Sequence, residues 1–205
     1  MFSPLTKQLI IALQKLPGVG PKSAQRIACQ MLAKRGRENG LNLANALQQA
    51  LTQVQQCHSC QNYTENEKCD LCMNTKRNTH TLCVVENPTD VIAVEQTHNY
   101  SGQYFVLHGH LSPLDNIGPL DLGIPKLITK IKQSHIKEVI IATNSTMEGQ
   151  ATAHYIVNQL STLNIRCSRI AHGVPIGGEL EYLDANTLIH ALQSRVLLSN
   201  EVSNV

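Results

Sequence analysis

The sequence predicts an α/β protein in which a small helical module and a four-cysteine segment precede a mainly parallel sheet. Three observations predict this fold class. Apolar residues recur at helical spacing up to about residue 55, four cysteines cluster between residues 57 and 72, and short apolar runs alternate with helical patterns after residue 80. Strands that alternate with helices are typical of βαβ units, and the strands of such units are parallel.

These patterns divide the chain of 205 residues into four predicted parts. They are a helical module (1–56), a cysteine segment (57–80), an α/β domain (81–176) and a C-terminal segment (177–205). A domain commonly has roughly 100–200 residues, so the length allows one or two compact units. Hydrophobic residues make up 42% of the chain, which is enough to bury a core and excludes wholesale disorder.

The predicted elements follow from the spacing of apolar residues. In the helical module, helices are predicted over residues 5–16, 22–34 and 42–55, the second burying Leu32 and the third capped by Asn42. In the α/β domain, strands are predicted over 81–85, 103–107, 138–143 and 165–170, and helices over 88–95, 124–133 and 148–161. A closing helix is predicted over 187–198.

Charge is unevenly distributed along the chain. Residues 1–56 hold seven basic residues and one acidic residue, whereas residues 81–205 hold seven basic and eleven acidic residues. A basic module of this kind favours a polyanionic partner, although an ordinary solvated face has the same composition. The chain has no apolar run of the roughly 18–20 residues that a membrane helix needs, and its first residues lack a signal-peptide cleavage site. We therefore expect a cytoplasmic protein without a membrane partner.

The segment over residues 16–24, Leu-Pro-Gly-Val-Gly-Pro-Lys-Ser-Ala, lies between the first two predicted helices. Gly18 and Gly20 allow a tight hairpin and leave backbone N–H groups unshielded, so that these groups and the positive end of the next helix can meet a phosphate. Lys22 and Arg26 lie four residues apart on one face of that helix. We predict that these four residues contact the DNA backbone; an ordinary turn between helices is the structural alternative. A P-loop is excluded because proline precedes the lysine, where that motif has glycine.

Four of the seven cysteines form the pattern Cys57-x2-Cys60-x8-Cys69-x2-Cys72. Two Cys-x2-Cys pairs supply the four thiolates that zinc takes in a tetrahedral site. Such a site has no open position for a catalytic water, so we predict one structural zinc ion per chain. His58, inside the first pair, could replace one cysteine as a ligand, and a disulfide pair or free cysteines are also compatible with the pattern. An odd number of cysteines with one tight cluster indicates a reducing compartment.

Polar residues follow two of the predicted strands. Glu86 ends the first strand, and Asn144, Thr146 and Glu148 follow the third. The carboxyl ends of parallel strands meet at one edge of the sheet, where the sites of α/β proteins are built. Mg²⁺ prefers carboxylate oxygens, and the neutral side chains of Asn144 and Thr146 hold it poorly. We therefore expect no catalytic two-carboxylate site; a solvated pair of Glu86 and Glu148 is the structural alternative.

The chain resembles the RecR family of bacterial recombination mediators. The resemblance rests on residues 16–26, the cysteine cluster, and residues 83–86, 142–153 and 173–182. In that family a helix-hairpin-helix, a four-cysteine zinc finger and a Toprim domain follow one another in this order. The resemblance therefore implies these identities for the helical module, the cysteine segment and the α/β domain.

The resemblance also implies a function. Toprim domains of topoisomerases and primases use a glutamate together with an Asp-x-Asp sequence that holds magnesium. Glu86 matches the glutamate, whereas Asn144 and Thr146 stand in the aspartate positions. The RecR family has a degenerate Toprim domain of this kind. The family implies a ring-like homo-oligomer, for example a tetramer, that encircles or clamps DNA. It also implies action with RecO and RecF to load RecA onto single strands coated by SSB.

The residues and the resemblance together favour a DNA-binding scaffold without enzymatic activity. On this interpretation the zinc stabilises the middle of the chain, and Glu86, Asn144 and Glu148 form an edge at which exposed acids steer a basic partner such as RecO. One competing interpretation is a magnesium-dependent Toprim nuclease or primase that uses Glu86, with the ion held by Glu148 and Asp90. A second is a protein–protein adaptor whose hairpin is only structural.

Overall fold

The computed structural model describes residues 2–171 and 173–195. Within these residues the chain forms two compact units. The first contains the residues up to Gln55 together with Thr64–Asn66, and the second contains Gln56–Tyr63 and the residues from Glu67 onward. The four cysteines therefore belong to the same unit as the sheet. The division into four parts stays a prediction.

The first unit is helical, with α1 (Pro4–Gln14), α2 (Pro21–Leu32) and α3 (Arg37–Gln53). Its buried core is small and consists of Ile10 from α1 packed against Ala24 and Ala28 from α2. Leu9 and Leu13 lie against this core, so these leucines of the first helix belong to the packing of the unit itself. The two alanines allow α1 and α2 to approach closely.

The third helix begins at Arg37 rather than at residue 42, and the predicted cap Asn42 lies inside it. The N-cap is Gly36, where a Cβ would lie 1.9 Å from the carbonyl oxygen of Gln30 in α2. This close approach fixes the start of α3 and overrides the weak helix propensity of the Asn-Gly pair that precedes Asn42. The prediction that Leu32 is buried is wrong. Its side chain is exposed, and the buried residues of α2 are the two alanines.

The cysteine segment contains one short strand and one short helix, and a second short strand lies directly before it. Strands β1 (Gln55–Gln56) and β2 (Tyr63–Thr64) pair with each other, and helix α4 (Asp70–Met73) is a single turn. Elements as short as these bury little apolar surface. The segment therefore depends on its cysteines and on contacts with the sheet for a fixed conformation.

The second unit is built on a sheet of four parallel strands. These are β3 (Thr81–Val85), β4 (Gln103–Val106), β5 (Glu138–Ala142) and β6 (Arg166–Arg169), in the order β4-β3-β5-β6. The helices that connect them are α5 (Pro88–Glu95), α6 (Ile124–Gln133) and α7 (Met147–Leu160). The predicted α/β class is confirmed, and each of these elements lies within two residues of its predicted bounds.

The central strand β3 is buried on both faces of the sheet. Leu82 and Val84 belong to the larger core, which α6 and α7 cover. Cys83 and Val85 point to the opposite face and belong to a smaller core with Val91 of α5. Parallel strands covered on both sides have continuous apolar sequences, which explains the uninterrupted run in this strand.

The cysteine segment covers the open edge of β4. The Val106 N–H donates to the Cys60 carbonyl at 2.8 Å, and the Gln61 side-chain amide donates to the Val106 carbonyl at 2.9 Å. On the same edge, the ammonium of Lys130 in α6 lies 3.4 Å from the Tyr104 carbonyl. Unpaired strand edges are sites of aberrant pairing with other chains. These contacts therefore protect the sheet and fix the cysteine segment on it.

Arg77 anchors the end of the cysteine segment to the same edge. Its guanidinium donates to both carboxylate oxygens of Glu95, at 3.0 and 2.6 Å, and its Nε donates to the Gly102 carbonyl at 2.7 Å. It also lies over the ring of Tyr104, whose hydroxyl donates to Glu95 at 2.6 Å. The hydrogen bonds from Arg77, followed by that from Tyr104, hold the pKa of Glu95 below its ordinary value. Glu95 is therefore ionised at neutral pH.

The C-terminal segment contains a 3₁₀ turn over Leu180–Tyr182 and the helix α8 (Ala185–Gln193). Asp184 caps α8 by accepting the N–H groups of Asn186 and Thr187, each at 3.0 Å. The predicted closing helix over 187–198 is present but begins two residues early and ends at Gln193, so the prediction is wrong for residues 194 and 195; residues 196–198 lie outside the described residues. Within the described ranges, no helix is long and apolar enough to cross a membrane.

Candidate functional site

The four predicted metal ligands lie together. The sulfur atoms of Cys57, Cys60, Cys69 and Cys72 are all within 4.8 Å of one another, and those of Cys60 and Cys69 are 3.4 Å apart. A tetrahedral ion with metal–sulfur bonds of about 2.3 Å places its sulfurs roughly 3.8 Å apart. All four cysteines are free of disulfides, so the disulfide interpretation is wrong. The cluster can hold one metal ion.

Two local structures bring the sulfurs together. The Cys57 N–H donates to the Asn62 carbonyl at 2.7 Å and the Gln61 N–H donates to the Cys57 carbonyl at 2.9 Å, which closes the first cysteine pair in a tight turn. Cys69 is the N-cap of α4 and Cys72 lies within its single turn. The Cys69 N–H also points at the sulfur of Cys57, at 3.4 Å. The backbone therefore directs the sulfur atoms of both cysteine pairs toward one position.

The clustered thiols influence one another's protonation. A hydrogen bond between Cys60 and Cys72 lowers the pKa of Cys72 to about 5 and raises that of Cys60. Burial raises the pKa of Cys69. A thiolate at Cys72 therefore disfavours ionisation of Cys60, and a positive ion would relieve this repulsion. This donor set fits a metal.

His58 lies outside the sulfur cluster. Its Nδ1 is 3.4 Å from Glu67 Oε1, and both side chains are largely exposed. Its backbone N–H donates to the Glu67 carbonyl at 3.0 Å, which ties the first cysteine pair to the approach of the second. The group of side chains that can hold the ion therefore contains cysteines and not this histidine.

The hairpin between α1 and α2 has the predicted compact form. The Val19 N–H donates to the Leu16 carbonyl at 3.1 Å, and the Val19 side chain packs against the core of the unit. Gly18 has a φ of +76°, which favours glycine. Lys22 and Arg26 are both exposed, one turn apart on α2, and the first turn of that helix contains no acidic residue.

Gly20 is the N-cap of α2 and makes no side-chain capping bond. Its φ of −77° suits any residue, and no atom lies within 4 Å of the position that a Cβ would take. The packing of the chain itself therefore does not require glycine at this position. The missing side chain leaves the start of α2 open to an approaching anion, which is what a helix N-terminus attracts.

Glu86 joins the carboxyl ends of β3 and β5. Its Oε1 accepts the backbone N–H of Asn144 at 2.9 Å, and its Oε2 accepts the side-chain amide of Asn144 at 2.6 Å. His110 Nδ1 lies 3.7 Å from the same Oε2. Glu86 is only 1% exposed. The alternative of a solvated pair is therefore wrong for Glu86, because its buried carboxylate connects the ends of two strands. Glu148, in the first turn of α7, is exposed.

The other groups of a magnesium site at this edge also have structural partners. Thr146 caps α7 by accepting the Gly149 N–H at 3.1 Å, and the Asp90 carboxylate accepts the N–H at the start of α5 at 2.8 Å. A Cβ at Gly149 would lie 2.8 Å from the Glu86 carboxylate, so α7 begins directly against it. Glu86, Thr146 and Asp90 thus act as acceptors for N–H groups in this structure.

Several residues at these sites were not predicted from the sequence. Gln61 and Arg77 fix the cysteine segment to β4, Lys130 donates to the first cysteine pair, and His110 approaches Glu86. All four act on partners at least 18 residues away in sequence. The spacing of nearby residues in the sequence therefore does not indicate these contacts. Gln61 alone could have been suspected, because it directly follows a predicted ligand.

Comparison with known proteins agrees with these features. The RecR helix-hairpin-helix family matches residues 6–51, the Toprim domain family matches residues 80–171, and the RecR C-terminal family matches residues 173–196. The recombination protein RecR of Coxiella burnetii is 64% identical over 196 residues, which are 96% of this chain and 98% of that protein. The chain belongs to the RecR family.

Other RecR proteins are nearly as similar along their whole length. Those of Saccharophagus degradans and Acinetobacter baylyi are 53% and 52% identical over 95% and 96% of this chain, and over 98% of each relative. The resemblance found in the sequence is confirmed. This chain is a RecR-type recombination protein with a helix-hairpin-helix, a Toprim domain and a four-cysteine cluster that can bind a metal ion.

The contact between Glu86 and Asn144 gives a prediction about stability. At pH 7, Asn144→Ala should lower the free energy of unfolding by about 1–3 kcal/mol, because a buried carboxylate oxygen loses its donor. Asn144→Asp should cost more, because it sets a second carboxylate against the first. Chemical denaturation of the three proteins measures both differences.

The pH dependence separates repulsion from a merely lost hydrogen bond. Two adjacent carboxylates raise the pKa of one of them, and the protonated form can again donate to its neighbour. The extra loss in Asn144→Asp should therefore shrink as the pH falls from 7 to about 5.5, whereas the loss in Asn144→Ala should change less. Equal losses in the two variants at both pH values would show that repulsion between carboxylates does not contribute to the loss.

Proposed function

We propose that this protein is a non-enzymatic, DNA-binding recombination mediator. It acts with RecO and RecF to load RecA onto single-stranded DNA coated by SSB, as membership of the RecR family implies. The observation that carries the proposal is the open, basic hairpin between α1 and α2 in the first unit.

The hairpin supports contact with the DNA backbone. Gly18 and Gly20 leave the start of α2 without side chains, and exposed Lys22 and Arg26 lie on that helix. Charged and backbone N–H groups of this kind contact phosphates and do not distinguish base sequence. We therefore expect DNA binding that tolerates sequence and weakens with salt.

The cysteine cluster supports a structural zinc ion. Four thiolates in a tetrahedral arrangement are the ligand set of structural zinc sites, and no position remains for a catalytic water. Zinc would be held by Cys57, Cys60, Cys69 and Cys72, where it supplies charge neutralisation and a fixed geometry. The binding energy of such an ion stabilises the folded segment directly.

The first unit also supports self-association. No residue of α3 is buried, and its leucines are exposed at Leu43, Leu47 and Leu51, four residues apart on one face of the helix. The unit has a core of only three buried residues, so this apolar face has no cover within the described unit. A homo-oligomer such as the ring proposed for the family would bury it.

The Toprim edge supports a binding role rather than catalysis. Both oxygens of Glu86 accept N–H groups of Asn144, whereas a magnesium ion needs free carboxylate oxygens. Glu148 is exposed at the same edge and is available to a basic surface of RecO. We assign Glu86 and Asn144 the task of holding this edge in shape and Glu148 the contact with the partner.

A paired substitution tests the DNA contact. Lys22→Ala with Arg26→Ala should weaken binding to unrelated DNA sequences alike, because backbone contacts are lost. The slope of log affinity against log salt should fall by about one for each lost phosphate contact. Fluorescence anisotropy at several salt concentrations measures both quantities.

The control for this experiment is Lys132→Ala with Arg195→Ala, which removes the same charge from exposed positions outside the hairpin. It should leave affinity and slope nearly unchanged. If the hairpin variant behaves like this control, the hairpin is structural and the protein is an adaptor.

A charge reversal tests the partner contact. Glu148→Lys should slow association with purified RecO by roughly tenfold at low salt, because an exposed acid mainly steers the encounter. Fold, metal content and DNA affinity should stay as in the wild type. Glu65→Lys, an equal change at another exposed position, is the control, and an equal effect of both variants on the association rate would contradict a specific contact at Glu148.

A further inference from the structure

Lys130 of α6 is a half-buried lysine whose ammonium faces the first cysteine pair. Its Nζ donates to the Ser59 carbonyl at 3.0 Å, to the Ser59 hydroxyl at 3.2 Å and to the Tyr104 carbonyl at 3.4 Å. An ammonium has three donors and no acceptor. Each donor therefore has an acceptor here, and one side chain connects α6, the edge strand β4 and the loop between Cys57 and Cys60.

All three acceptors are neutral, and within the described residues no carboxylate lies within 4.0 Å of this ammonium. A desolvated cation without an opposite charge is costly. Burial accordingly lowers the pKa of Lys130, while the charges of the four cysteines raise it. Ser59 lies between two of the predicted ligands, so a metal ion bound by four thiolates would supply the negative charge that the ammonium lacks.

A second link runs through Ser59. The Ser59 hydroxyl accepts from Lys130 at 3.2 Å, and Ser59 lies between the predicted ligands Cys57 and Cys60. The ammonium thus holds in place the residue that lies between two predicted ligands. Groups outside the first coordination shell that bond to ligands commonly change metal affinity by about 10- to 100-fold.

We propose that Lys130 is a positioning residue of the metal centre, which balances part of the net negative charge of a metal ion bound by four thiolates and fixes the first cysteine pair against the sheet. This rests on the proposed function of the cysteine cluster as a zinc site. A divalent ion with four thiolates has two excess negative charges, and Lys130 is placed to compensate one of them. The neutral acceptors then orient the ammonium without competing for its charge.

The test compares full-length variants loaded with metal. Affinity for Zn²⁺ is measured by competition with a chromophoric chelator, and the absorption of the Co²⁺-substituted protein reports whether four-sulfur tetrahedral geometry is retained. Lys130→Met keeps the length and apolar stem and removes the charge; Lys130→Arg keeps the charge. Lys126→Met is the control, because Lys126 lies one turn earlier on the same helix and is exposed to solvent that screens its charge.

We expect wild type to bind one Zn²⁺ and Lys130→Met to bind it about tenfold more weakly with tetrahedral Co²⁺ absorption retained. Lys130→Arg should lose less than Lys130→Met, and Lys126→Met should stay within about twofold of wild type. Ser59→Ala, which keeps the lysine, should lose about threefold and gives an independent reading if Lys130→Met folds poorly.

Three outcomes would overturn the proposal. Equal affinity of wild type and Lys130→Met would show that the ammonium has no influence on the metal. Equal losses in Lys130→Met and Lys130→Arg would show that charge is not the cause. A wild-type protein that binds no metal would remove the proposed zinc site itself and the role of Lys130 with it, an outcome that the wild-type measurement alone identifies.

Discussion

The second unit depends on the contact between its edge strand and the cysteine segment. Val106 of β4 bonds through both its N–H and its carbonyl to Cys60 and Gln61, and the carbonyls of Gly102 and Tyr104 accept from Arg77 and Lys130. Alternate carbonyls along the open edge are therefore taken by side chains. Without these donors β4 would present an unpaired edge to other chains. The four-cysteine cluster lies within the segment that contributes Gln61 and Arg77, so a metal bound there would stabilise the same segment that covers the edge of the sheet.

A second buried contact decides what the opposite end of the sheet can do. The Toprim fold brings the ends of β3 and β5 together, and in a catalytic version that junction would be filled by carboxylates around an ion. Here Asn144 supplies two N–H donors to Glu86, and the start of α7 closes over the pair at Gly149. The neutral amide of Asn144 thus stands where a catalytic site would have an aspartate. Its N–H groups contact Glu86 where the cation would otherwise bind. The junction is a fixed, buried part of the fold, and Glu148 stays exposed at the same edge.

Much of this arrangement could be predicted from the sequence because its signals are local. The ligand set follows from two Cys-x2-Cys pairs, and α5 and α6 occupy their predicted residues because Asn87-Pro88 and Gly123-Ile124-Pro125 mark helix starts. The start of α3 was missed, since it depends on how closely Gly36 approaches α2. The burial of Glu86 and the role of Lys130 were missed for the same reason. Their partners are distant in sequence and are brought near only by the order β4-β3-β5-β6.

The most direct test of this account is amide hydrogen exchange at Val106 before and after removal of the metal by a chelator. In the loaded protein the Val106 amide is bonded to the Cys60 carbonyl and should exchange slowly. After chelation it should exchange much faster, while the amide of Val84 in the central strand β3 keeps its protection. Unchanged slow exchange at Val106 in the metal-free protein would contradict the account, because the cysteine segment would then hold the edge of the sheet without its ion.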